Sequence, residues 1–182
     1  MPEPVPTGGD APEPLVEVIL EDPRWHATGL EPLAERAARA ALAGVGRDPG
    51  RHEIALLACS DARIAGLNAD FRGKPAPTNV LSWPDFDGPV PEPAGARLFL
   101  GDIAIAYDTC RREAEAGGIP FADHVSHLVV HGVLHLLGHD HEDDAEAEAM
   151  EALETNVLAS MGVPNPYSRE ERPSDASPGQ ER

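Results

Sequence analysis

Three histidines, His131, His135 and His141, stand in the run HGVLHLLGHDH at a spacing that suits one metal ion. Residues four apart on a helix project from one face, so the rings of His131 and His135 can converge on a common point. Gly138, three residues further on, can take the left-handed conformation that ends a helix. The chain then turns back, and His141 can reach the same ion from a loop. Three neutral imidazoles satisfy a zinc-type ion and leave a fourth position open, the arrangement of a catalytic centre. A structural centre would be closed by a fourth side chain, often cysteine, and neither Cys59 nor Cys110 is near in sequence. The chemistry implied is hydrolysis, because such an ion polarises substrate oxygens and lowers the pKa of a bound water toward ~7.

Other groups compete for the role of ligand. His139 flanks the loop and is the alternative third ligand; His141 is preferred because its spacing matches the turn-back. His127 lies four residues before His131, but using it would require one ion beside three successive helical turns. His124 lies further back, and His26 and His52 read as ordinary residues. Asp140 and Glu142 are candidates to orient a ring through its free nitrogen. The acids of EDDAEAEAMEALE read as a solvated helix face rather than a second metal site. The spacing His-x3-His-x2-Gly-x2-His is also that of the metzincin proteases, yet Gly132 stands where their glutamate base would be. Without that carboxylate a peptidase mechanism lacks its proton acceptor.

The elements that must carry these residues are legible in outline. Leu15 to Leu20, His52 to Cys59, Val80 to Ser82 and Leu98 to Ala106 read as strands, the last interrupted at Gly101-Asp102. Helices are predicted from Pro32 to Ala43, after the capping pair Ser60-Asp61 to near Asp70, from Thr109 to Ala116, from Phe121 to Leu137 and from Asp144 to Met161. The fourth of these is apolar around most of its circumference and so is expected to be buried, with the metal site at its end. FRGKPAPTNVLSWP reads as an ordered loop flanking a short strand, and 86–95 as a flexible surface loop. Strands mixed with helices, without a strict βαβ rhythm, indicate a single α+β (mixed α/β) domain with about four strands.

The length of 182 residues suits one domain. Residues 1–14 and 168–182 are polar and Pro- or Glu-rich and are expected to be disordered, leaving a domain over 15–167. Two distant cysteines form no disulfide framework and read as reduced, buried thiols. With no apolar run of membrane-spanning length and no secretory signal, a cytoplasmic protein without membrane association is expected. The net charge of -18 argues against non-specific attraction to nucleic acid. The acids crowd the ends and the run after the histidines, however, whereas Arg72 and the only lysine, Lys74, stand in a stretch with few acids.

At LNADFRGKPAPTNVLSWP (67–84), LGDIAIA (100–106) and HLVVHGVLHLLGHDHEDDAEAEAMEALE (127–154) the sequence resembles the YbeY family of rRNA maturation factors. The resemblance implies a zinc-dependent endoribonuclease acting on single-stranded RNA, in 16S rRNA 3′-end maturation and ribosome quality control. It implies a central mixed sheet of about four strands flanked by helices, one zinc ion on His131, His135 and His141, a catalytic role for Arg72, and the small ribosomal subunit, with ribosomal or assembly proteins, as partners. His139 departs from the family's frequent tyrosine at that position. The chemistry of the residues agrees: Arg72 is a planar, permanently charged fork suited to phosphate, unless it serves a surface salt bridge. Lys74 could add a point charge along an RNA backbone. Trp83 reads as packing rather than a stacking platform. The competing readings are a ribosome-assembly binding factor whose metal mainly holds the fold, and a protease-like hydrolase.

Overall fold

The computed structural model describes residues 13–167. Of the two terminal segments expected to be disordered, 1–12 and 168–182 lie outside the described residues. Glu13 and Pro14 are described, and both accept hydrogen bonds from Arg97.

Four strands, β1 (Val16–Leu20), β2 (His52–Cys59), β3 (Val80–Pro84) and β4 (Leu98–Ala106), form one sheet in the order β1-β2-β4-β3. β1 and β4 both run parallel to β2, and β3 is antiparallel to β4. The sheet is therefore mixed, as the family resemblance implied. Helix α1 (Leu30–Gly44) makes the crossover from β1 to β2, and α2 (Asp61–Arg72) leads from β2 toward β3. Helices α3 (Tyr107–Gly117), α4 (Phe121–Leu136) and α5 (Asp144–Ser160) follow β4.

Strand alternation divides the core between the two sheet faces. Ile54, Leu56 and Ala58 of β2, with Ile103 and Ile105 of β4, join the apolar sides of α1, α4 and α5 in the larger cluster. Cys59, Ala104, Ala106 and Leu81 point the other way, against Ile64 and Leu67 of α2. Helix α4 lies inside the first cluster with Val129, Val130, Val133 and Leu134 all buried, which fulfils the expectation from its apolar circumference. Both cysteines are free and buried.

Three boundaries differ from expectation for local reasons. Strand β4 is continuous through Gly101-Asp102; its pairing with β2 skips Leu100, a bulge that turns the strand instead of ending it. Helix α2 runs on to Arg72, because Gly73 at φ 68° supplies the left-handed cap and Ser60 accepts from the Arg63 amide at the other end. Arg72 thus sits on a helical turn and not in the loop. The segment 86–95 is irregular as expected, but Arg47 and Arg51 hold it through the carbonyls of Val90, Pro91 and Pro93.

Candidate metal centre

The last turn of α4 and the loop after it build the centre. The amides of Gly138 and His139 donate to the carbonyls of His135 and Leu134, and Gly138 takes φ 96°. This is a Schellman turn, which satisfies the end carbonyls of the helix and reverses the chain. His141 is thereby carried back over the helix end, its ring 5.1 Å from that of His135 and 5.7 Å from that of His131, centroid to centroid.

One ring nitrogen from each of His131, His135 and His141 lies within 4.8 Å of the others, and the Nε2 atoms of His131 and His135 are 3.0 Å apart. A tetrahedral ion with nitrogen ligands at ~2.0–2.1 Å sets those nitrogens about 3.3 Å apart, so the donor set fits a zinc-type ion with small adjustments. Burial, followed by the neighbouring His131 and His141, lowers the pKa of His135 to about 4, which keeps its lone pair available at neutral pH. His139 is exposed and stands outside this group; its backbone, not its ring, contributes to the turn.

The residue that sequence reasoning missed is Glu154 on α5. It is only 1% exposed, and its Oε1 accepts from Nδ1 of His131 in a short hydrogen bond. That bond fixes the tautomer of His131 and turns its Nε2 toward the centre. The other oxygen accepts from His127 at 2.8 Å and from the Tyr167 hydroxyl. Burial pushes the carboxyl upward, but the hydrogen bonds from His127, His131 and Tyr167 outweigh it and hold the pKa at about 2. Glu154 belongs to the acidic run read as a solvated face, and for this residue that reading is corrected. The usable signal was its place on the stripe Met150, Glu154, Val157, Leu158, an acid at apolar spacing. His127, rejected as a ligand, proves to be a second donor to the same carboxylate. Asp140 accepts from the His141 backbone amide.

A cleft of about 270 Å³ opens onto the three histidines and is also lined by Arg72, Asn79, Val80, Ser82 and Tyr167. Arg72 enters it from the end of α2, and no carboxylate among the described residues pairs with it. Lys74 is exposed and lies outside the lining. A Cβ at Gly132 would meet Ile103 at 3.1 and 3.3 Å. Position 132 therefore faces the sheet, and a glutamate there would be driven into the core rather than toward the centre. Trp83 packs beside Phe71, ring centroids 5.4 Å apart, in keeping with a packing role.

The model of the family described as endoribonuclease YbeY matches residues 21–162. The chain belongs to the YbeY family. An endoribonuclease YbeY of Paracoccus denitrificans is 53% identical over 176 residues, covering 92% of this chain and 99% of the relative. One of Ruegeria pomeroyi is 55% identical over 165 residues, covering 85% and 99%. A Thermotoga maritima protein solved in solution aligns with TM-score 0.52 and 23% identity over 92% of this chain and 99% of that one, a likeness of fold. The YbeY match spans Arg72, the three histidines and Glu154, whereas Tyr167 lies beyond it.

Proposed function

We propose that this chain is a cytoplasmic endoribonuclease that cuts single-stranded RNA with one zinc ion held by His131, His135 and His141. Its place is 16S rRNA 3′-end maturation and ribosome quality control on the small ribosomal subunit, with ribosomal or assembly proteins as partners. Membership of a family named for endoribonuclease activity supports the reaction class. The observation that carries the site assignment is that three converging imidazoles and a guanidinium with no carboxylate partner among the described residues line one cleft. No helix among the described residues is long and apolar enough to cross a membrane.

A divalent ion bound there supplies Lewis acidity at the scissile phosphodiester. The protein's own residues do the rest. Arg72 grips non-bridging phosphate oxygens with two parallel N–H donors and stabilises the charge that grows on them during attack. Glu154 holds His131 in one tautomer and orientation, so the centre is set before substrate arrives. Lys74, outside the cleft, adds a point charge for a neighbouring phosphate. Ser82 and Asn79 give the wall polar character close to the reacting group.

The test is Arg72→Ala in the purified, metal-loaded protein. Loss of an electrostatic clamp of this kind is expected to lower kcat on single-stranded RNA by about 10²–10³, with folding and metal content unchanged. Cleavage at the wild-type rate would reject the role of Arg72 and point to a contaminating nuclease or a passive role for this residue.

A further inference from the structure

Beside the metal cleft lies a second cavity of about 220 Å³ that the reaction as described does not use. Its walls are mainly apolar, with Ile119 and Pro120 before α4 and Val163 and Pro164 after α5. His127 lines both spaces. Its ring is fixed by the 2.8 Å bond to Glu154, and it stands 6.4 Å, centroid to centroid, from the ligand His131. The cavity is thus one side chain away from the metal cleft. One carboxylate opens into it: Asp123, half-buried and without a hydrogen-bond or ion-pair partner among the described residues. An unpaired carboxylate within mainly apolar walls offers its acceptor oxygens to a ligand that carries N–H donors.

We infer that this cavity is a nucleobase subsite for the RNA strand in the cleft and that Asp123 makes it selective for guanine. This rests on the endoribonuclease reading above. The strand places a base next to its phosphate, and flat proline and imidazole surfaces are what an unstacked base packs against. Two carboxylate oxygens side by side match two N–H donors side by side. Guanine alone presents that pair on its Watson–Crick edge, at N1 and N2; the other bases offer one donor there. Because base pairing occupies the same edge, a duplex cannot enter the subsite, and selectivity for single strands follows from the geometry.

The experiment uses the metal-loaded full chain, wild type and Asp123→Asn, a nearly isosteric change. Single-stranded oligonucleotides carry guanine, or inosine, which lacks only the N2 amino group, at each position flanking the cut. In the wild type, inosine at one position is expected to lower kcat/KM about tenfold. In Asp123→Asn, guanine and inosine at that position should be cut alike, while sites without guanine change less than about threefold. If the wild type cuts RNA yet neither inosine nor Asp123→Asn alters the preference, the subsite is rejected and the endoribonuclease reading stands. If the wild type cuts no RNA, that reading fails by itself. A titration with guanosine 5′-monophosphate against adenosine 5′-monophosphate then decides, read from the Ile119 and Val163 methyl resonances. Shifts with the guanine nucleotide alone support the subsite, and their absence overturns it.

Discussion

At the scale of single residues, the centre depends on a carboxylate that is not a ligand. The histidine spacing could be read directly, because two positions four apart on a helix and one beyond a terminating glycine leave little freedom. Glu154 could not be paired with His131 in this way: it is 23 residues away on another helix, and only packing of α5 against α4 unites them. Its presence on an apolar stripe marked it as unusual without naming its partner. Glu154→Gln keeps the shape and removes the charge, and it places an amide donor among three donors from His127, His131 and Tyr167. Zinc affinity, measured by competition with a chromophoric chelator, should fall about 10–100-fold. Unchanged affinity would show that His131 needs no orienting partner. Arg72 was legible as a phosphate-binding group by its chemistry, but that no carboxylate among the described residues pairs with it was visible only in three dimensions.

At the scale of elements, most helices and strands were legible from periodicity and caps, and the irregularities were not. Gly101 shows why. In sequence it looked like an interruption of a strand; in the fold it lies just past a bulge, at φ 142°, where an added Cβ would stand 2.2 Å from the Trp83 carbonyl oxygen. That contact forms only once β3 has paired with β4, so no local reading of residues 98–106 could reveal it. A Cβ at Gly101 would also stand 2.9 Å from Leu136, at the end of the helix that carries His131 and His135. Gly101→Ala therefore combines overpacking against rigid backbone with a disfavoured φ, and should cost about 3 kcal/mol or more, read from the urea midpoint. A loss below about 1 kcal/mol would mean that β3 can move away freely. The end of α2 carries the same lesson in reverse: Gly73 extends the helix by two residues beyond the predicted stop and so puts Arg72 at the mouth of the cleft.

At the scale of the whole molecule, length and element mix indicated one α+β domain, and the family resemblance extended that to a sheet with helices around it. Strand order was beyond reach, since β4 inserts between β2 and β3 by contacts distant in sequence. The net charge of -18 was the awkward quantity for an RNA enzyme. It is reconciled with the site if the protein engages few phosphates, through Arg72 and Lys74, and relies on the ion and on base contacts for the remainder. Each phosphate neutralised on a single strand contributes a slope of about −0.7 to log K against log salt. Affinity for single-stranded RNA should therefore fall with a slope of about −1.4, and Arg72→Ala should reduce it to about −0.7. A slope of about −3 or steeper would require a basic surface that the described residues do not present.

The three ring nitrogens of His131, His135 and His141 are the foundation of all of this, and elemental analysis tests them most directly. Full-length protein loaded with zinc and freed of excess should retain one ion per chain, and His135→Ala, still folded by circular dichroism, should retain almost none. A folded His135→Ala variant that keeps one equivalent of zinc, or a wild type that keeps none, would contradict the metal centre.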